Sequence, residues 1–529
     1  MSCCPSLRRF FCALCSVVIL GMAVAVVIWT SRNGPPAEAK ADEAKGETGR
    51  AWPMFGGTVH RNMVNLVEKD MPTAWDVKTK KNIKWVADLG SKAYGGPVIS
   101  GGKILIGTNN DRPRDLKVKG DKGIIMCFDE ATGKFLWQAV HDKLASGRVN
   151  DWPHEGICSS PFIEGGRMYY VSNRCEVVCR EINDGKPVWS YDMMKELDVF
   201  PHNLATCSPV AAGDTLFVVT SNGVDLDHLN IPRPAAPCFL ALNKKTAKPV
   251  WHTNVTSANL LKPNANLKEL ANKGLVLMHG QWSNPVYTEI DGKGQVIFPG
   301  GDGWIYGYEP AKGKLIWKFD CNPKDSTYAL GGKGTRSDFV ATPVIADNHL
   351  YIGVGQDPEH DYGVGHFWCI DVVKATKIGG DVSPVKDNFD PKAEVNKNSA
   401  LAWHYGGYID PAPEGGRNYY FGRTMSTAAV HDGLCYIGEQ EGILHCLDAK
   451  TGKEYWQHDM QSDTWSSPAW VDGKVYMGCD KNTLFIFKHG KEKKLLATHD
   501  MKGKVRATPV AVNGVLYVMT ENKLYAIKK

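Results

Sequence analysis

The chain has 529 residues, with 62 lysines and arginines against 57 aspartates and glutamates, 54 glycines and 16 tryptophans. That length exceeds one ordinary small core and fits either several domains or one large repeat array. The charge is nearly balanced, and there is no basic stripe interleaved with aromatics, which argues against a nucleic-acid partner.

At the N-terminus, Arg8 and Arg9 precede an uncharged, mostly apolar run, 10–29. A helix of about twenty residues spans ~30 Å, one hydrocarbon core. Basic residues ahead of it favour a cytoplasmic N-terminus. The run is longer than the ~7–15-residue apolar region of a cleaved signal peptide, and its Ala23-Val24-Ala25 triplet sits inside the run. The expected order is a cytoplasmic stub at 1–9, an uncleaved transmembrane signal anchor at 10–30 and a flexible Ala-, Gly-, Pro-, Lys- and Glu-rich tether at 31–50. Residues 51–529 are then expected in the periplasm or another extracytoplasmic space.

From residue 82 onward the sequence repeats itself, and a repeat decides the fold before anything else does. The unit opens on a Ser/Thr-Pro step and two strands joined by a Gly- or Asn-containing turn. This half begins near Pro97, Pro161, Pro209, Pro285, Pro343, Ala428, Pro468 and Pro509. The second half is a strand, a Thr-Gly-Lys-like turn and a strand ending in tryptophan, as in 442–456, GILHCLDAKTGKEYW. A small residue stands ten positions before the tryptophan: Cys127 and Trp137, Cys179 and Trp189, Ala241 and Trp251, Gly307 and Trp317, Cys446 and Trp456. In the fifth copy an insertion after Cys369 delays the tryptophan to Trp403, and the seventh copy has lost it. Period-two alternation with glycine turns reads as half-buried antiparallel strands.

Four such strands per unit around an axis make a β-propeller. The last copy stops at LYAIKK without its tryptophan strand, while a lone tryptophan strand at 82–89, holding Trp85, precedes the first. Joining the two closes the ring and removes the exposed sheet edges. The predicted fold is therefore an all-β, eight-bladed propeller of four-stranded antiparallel blades. Trp85, Trp137, Trp189, Trp251, Trp317 and Trp456 are expected to wedge between neighbouring blades.

The small residue, acidic residue, Thr-Gly-Lys turn and terminal tryptophan resemble the tryptophan-docking repeat of the pyrroloquinoline-quinone (PQQ) propellers, over most of 80–529. The family resembled includes PQQ-dependent alcohol dehydrogenases and non-enzymatic members such as the propeller lipoprotein of the outer-membrane β-barrel assembly machinery. It also includes uncharacterised membrane-anchored bacterial proteins. The resemblance implies fold strongly and function weakly.

Cys127, Cys179, Cys369 and Cys446 fill one equivalent slot in different blades. Equivalent slots lie beyond the ~7 Å reach of a disulfide, so these cysteines are expected to be small buried residues.

The loops that enter the innermost strands should line the channel mouth. They carry Tyr94, His154, Glu155, His202, Asn203, His279, Gln281, Trp282, Arg336, Asp338, Arg423, Asp463, Trp465 and Arg506. His154, His202 and Arg336 each stand seven residues before a proline. Three readings are open: hydrogen-bonded polar rim residues, an anion- or peptide-binding funnel built on the arginines and tryptophans, or convergence of His154, His202 and His279 on a transition metal. No catalytic residue, metal or cofactor is assigned.

The dehydrogenase alternative implies PQQ, calcium, a carboxylate base and, by resemblance, an adjacent cysteine pair. The sequence has such a pair only at Cys3-Cys4, and it carries no CxxCH haem segment. Two insertions stand out. Residues 355–366, GQDPEHDYGVGH, concentrate Asp357, Glu359, His360, Asp361 and His366, and read as a solvated loop or a divalent-ion loop. Residues 222–237 form the other. Loops on one face of a repeat array often carry binding. The expected function is a monomeric, membrane-anchored, non-enzymatic binding or assembly platform with a protein or cell-envelope partner. The alternative is a PQQ- and calcium-dependent alcohol or sugar dehydrogenase.

Overall fold

Short alternating strands separated by glycine turns cannot bury their apolar faces alone, so they stack as sheets around an axis. In the computed structural model, the first sheet runs Val98–Ser100, Lys103–Asn109, Lys122–Asp129 and Phe135–Asp142, all antiparallel. Seven more blades of four antiparallel strands follow, giving an eight-bladed all-β propeller; the short strands Gly380–Asp381 and Val64–Asn65 add a parallel edge to the fourth and seventh blades. The structure describes residues 51–255, 266, 269–270, 276–277, 279–323, 326–329, 333–356, 358–384 and 396–529. The expected stub, anchor and tether at 1–50, with Cys3, Cys4, Cys12 and Cys15, lie outside the described residues, as does Asp357. Among the described residues no helix is long and apolar enough to cross a membrane.

The eighth blade is shared between the two ends of the repeat region. Val510–Val512, Val515–Thr520 and Lys523–Ile527 are completed by Ile83–Asp88, which pairs antiparallel with the last strand and sets Trp85 opposite Ala526. The ten-residue ruler is a cross-strand register. Cys127 faces Trp137, Cys179 faces Trp189, Ala241 faces Trp251, Gly307 faces Trp317, Cys369 faces Trp403 and Cys446 faces Trp456. A bulge follows each of these pairs. The small side chain leaves room for the indole; a Cβ on Gly307 would stand 2.6 Å from the Trp317 ring.

Each indole then reaches the following blade. The Trp85 Nε1–H donates to Glu130 O, Trp137 to Ile182 O, Trp189 to Lys244 O, Trp251 to Pro310 O, Trp403 to Ala449 O and Trp456 to Gly490 O. Trp317 differs because its neighbouring blade replaces the turn with the helix Val372–Ile378, so its Nε1–H donates to Gln295 Oε1 instead. In the seventh blade Ala497 occupies the tryptophan slot. There Trp75, from outside the repeat, packs with Ile486 and Tyr525 across blades seven and eight and stacks on His499 at 3.7 Å.

Sequence periodicity missed the segment 52–68. It crosses the far end of the channel and touches the inner strands in turn. Trp52 pairs with Ile99, Pro53 O accepts from Ile163 N, Val59 O accepts from Tyr287 N and His60 O accepts from Ile345 N. Asn62 bonds Val430, Met63 O accepts from Trp470 N and Asn65 Nδ2 donates to Ala511 O. At its centre lies Arg61, fully buried, which donates to the carbonyls of Phe55, Ser208, Pro209 and Pro285. Burial holds the guanidinium down to about 10. The channel is thus closed at one end and open at the other.

Candidate functional site

The Ser/Thr-Pro steps form the wall of the open end. Proline carries no N–H, and the residue before it is held extended. That preceding side chain serves the neighbouring blade: Ser208 Oγ accepts from Ser160 N, Asn284 Oδ1 from Ser208 N, and Ser467 Oγ from Thr427 N. Asn284 Nδ2 donates to Thr342 Oγ1. This polar girdle surrounds a cavity of about 530 Å³ whose floor is Phe55 of the closing segment.

Aromatic side chains and closed ion pairs line the rest. Tyr94 stacks on Trp465 at 5.5 Å, and Arg506 lies 4.4 Å above the Trp465 ring. The Arg506 guanidinium forks onto Asp480 at 2.6 and 3.0 Å, a bidentate pair. Burial opposes its charge, yet Asp480 holds it above its ordinary range. Burial pushes the Tyr94 hydroxyl up. Lys92 is paired with Glu155. On the rim, Arg148 lies 4.0 Å over Trp152.

On the wall formed by blades three to five, imidazoles gather. His202 is on the loop entering blade three, His228 on the 222–237 insertion, and His279 on the loop entering blade four. Their ligand atoms all lie within 4.8 Å of one another, and all three residues are buried. The His202 and His228 Nε2 atoms are 3.1 Å apart, and the three ring pairs meet edge-on at 4.6–4.7 Å. His360, from the 355–366 insertion, brings its Nε2 to 3.3 Å from His228 Nδ1. Glu359 Oε2 stands 3.6 Å from His228 Nε2 and accepts from Asn203 Nδ2 at 3.3 Å. His202 Nδ1 donates to Val224 O at 2.9 Å, and His279 Nδ1 is 3.4 Å from Asp338 Oδ2. Trp282 stacks on His202 at 5.6 Å, while Asn203, Trp282 and Glu359 also line the cavity.

The fourteen rim residues therefore separate into groups. Tyr94, Glu155, Asn203, Trp282, Trp465 and Arg506 reach the cavity. His202, His279 and Asp338 join the imidazole cluster. His154 stands apart: it is exposed, and its Nδ1 lies 2.9 Å from Asp111 Oδ1, which raises its pKa. The metal reading, one of the three left open, grouped His154 with His202 and His279; the ligand atoms that lie within 4.8 Å of one another are those of His202, His228 and His279. Arg336 is buried against Asp320, and Gln281 donates to Asn222 O. Arg423 donates to Gln356 Oε1 at 2.7 Å and to the His360 and Asp361 carbonyls, clamping the 355–366 loop. Asp463 accepts from Tyr362 Oη of that same loop. The described residues of this insertion form part of the site, and His366 is a buried strand residue beside His404. Spacing to the prolines does not find His228; its signal is a histidine inside the 222–237 insertion, a long inter-strand loop.

A family model described as outer membrane protein assembly factor BamB matches residues 121–374 and 394–529. No curated protein matches in sequence. Similar solved structures include a europium-containing methanol dehydrogenase, 13% identical, TM-score 0.61, covering 92% of this chain and 99% of that one. A quinohemoprotein alcohol dehydrogenase from Comamonas testosteroni is 13% identical, TM-score 0.59, covering 90% and 80%. BamB from Moraxella catarrhalis is 12% identical, TM-score 0.48, covering 84% and 98%. At these identities the likeness is one of fold.

Proposed function

This chain belongs to the family of the outer membrane protein assembly factor BamB, and from that premise we propose that it is a non-enzymatic binding or assembly platform. Its ligand is a segment of a protein partner whose apolar or aromatic side chain enters the axial cavity. The observation that carries this reading is the state of the cavity's charges. Its cations are already engaged by carboxylates of the same chain, Lys92 by Glu155 and Arg506 by Asp480, while Phe55, Trp282 and Trp465 offer open apolar surface. A blind, mostly apolar recess with a few fixed polar groups suits an anchoring side chain. An extracytoplasmic location and a membrane helix at 10–30 belong to the same proposal.

The fold family also includes quinoprotein dehydrogenases, and the residues present do not fit PQQ with calcium. Calcium takes six to eight oxygen ligands. The metal-ligating group found among the described residues is nitrogenous. A tricarboxylate needs unengaged cations. Arg336 and Arg506 are each held by a carboxylate, and Arg423 by Gln356 and two carbonyls. No step is routed through that group.

The test is a photoreactive amino acid placed in cells at Leu204, which lines the cavity, or at Val188, an exposed outer-strand residue. The reading expects a discrete protein adduct from position 204 and none from 188. Equal adducts from both positions, or none from 204, would overturn it.

A further inference from the structure

We infer that His202, His228 and His279 form a binding site for a divalent first-row transition metal, zinc foremost, in the wall of the axial cavity. Three buried imidazoles present ligand atoms within 4.8 Å of one another. Zinc–nitrogen bonds of about 2.0–2.1 Å place tetrahedral ligands about 3.4 Å apart. His202 and His228 already meet at 3.1 Å, and the His279 ligand atom lies within 4.8 Å of both. Imidazole nitrogen suits zinc, copper, iron and nickel, and disfavours calcium and magnesium.

Four further observations support the site. The first is orientation by neighbouring groups. A carbonyl can only accept, so His202 Nδ1 carries the proton towards Val224 O, and its Nε2 lone pair lies 3.1 Å from both His228 Nε2 and the Asn203 Nδ2 donor. The Asp338 Oδ2 atom stands 3.4 Å from His279 Nδ1, near enough to accept its proton once the Nε2 side takes a metal. Second, Glu359 lies within 3.6 Å of His228 and supplies negative charge, a fourth ligand or a hydrogen-bond acceptor for bound water. Third, an entry path exists, because Glu359, Asn203 and Trp282 line both the cluster and the open cavity. Fourth, both loop residues sit in left-handed backbone, Asn203 at φ 58° and His228 at φ 57°, a region in which asparagine and histidine are enriched. The two insertions that interrupt the repeat, 222–237 and 355–366, meet at this point through His228 and His360. The inference does not depend on what enters the cavity.

The experiment uses the purified full-length chain, stripped with chelator and titrated calorimetrically with Zn²⁺. One ion per chain is expected. His228→Gln and His279→Gln should each weaken binding by ~100-fold or more, while Asp338→Asn should keep the stoichiometry and lose ~10–100-fold, the range for outer-shell partners. His154→Gln should bind like the parent. No saturable one-to-one binding, or affinity unchanged in both histidine variants, overturns the inference. Should the variants fail to fold, cobalt-loaded parent protein decides it. Three exchangeable, paramagnetically shifted imidazole N–H resonances are expected; their absence overturns the site.

Discussion

Trp456→Ala measures what one inter-blade indole contributes. Trp456 is 7% exposed, its ring lies 5.5 Å from Phe487 and 5.9 Å from Tyr436, and its N–H reaches Gly490 O at 3.1 Å. Truncation removes the indole from a site walled by two blades, so collapse is limited; such changes cost about 3–5 kcal/mol. Trp456→Phe keeps a ring against Phe487 but drops the hydrogen bond, worth about 1 kcal/mol, with a smaller packing loss. The assay is guanidinium unfolding followed by far-UV circular dichroism, reading the midpoint at constant slope. The order expected is parent, Phe variant, Ala variant. An Ala variant within about 1 kcal/mol of the parent, the range for surface positions, would refute the wedge.

Other predictions test separate parts. Arg61→Met should orphan four carbonyls and cost at least about 3 kcal/mol in the same assay; a neutral change would mean that the segment 52–68 does not close the channel. His366 is held down to about 3 by burial, and His404 is pushed well below its ordinary value by burial and by His366. The unfolded chain protonates both near pH 6.5 and the folded chain does not. Stability should therefore be full above pH 6.5 and fall below it by about 1.4 kcal/mol per pH unit per histidine; a flat curve between pH 6.5 and 5 would contradict this. Among the described residues the cysteines other than Cys321 are free thiols, and every described cysteine except Cys158 is buried. Alkylation of the native protein without reductant should thus reach Cys158 at most among them, and denaturation should expose the free ones as thiols; a cross-linked peptide pair among these would disprove the assignment.

What the sequence carried was periodic. The eight inner strands, seven of them led by proline and one by Ala428, the ten-residue ruler and the split eighth blade follow from alternation and turn chemistry, and the structure reproduces them as sheets and registers. The segment 52–68 has no period, because each of its residues answers to a different blade. Trp75 likewise fills the place vacated at Ala497 from about 420 residues away in sequence. Rim arginines looked available because their partners lie elsewhere: Asp480 precedes Arg506 by 26 positions and Asp320 precedes Arg336 by 16. Equal spacing to proline did not mean equal placement. His154 points to solvent, His202 is sealed inside the cluster and Arg336 sits against Asp320. The imidazole cluster draws on two insertions and two entry loops, a convergence fixed by ring geometry and invisible to spacing.

The measurement that bears most directly on the platform reading is calorimetric titration of the full-length chain with PQQ and Ca²⁺, followed by dye reduction with alcohols and sugars. A cavity whose cations are already paired and whose metal-ligating group is nitrogenous should give no calcium-dependent heat and no turnover. Tight calcium-dependent binding with substrate-dependent dye reduction would contradict the account and place the chain among the quinoprotein dehydrogenases.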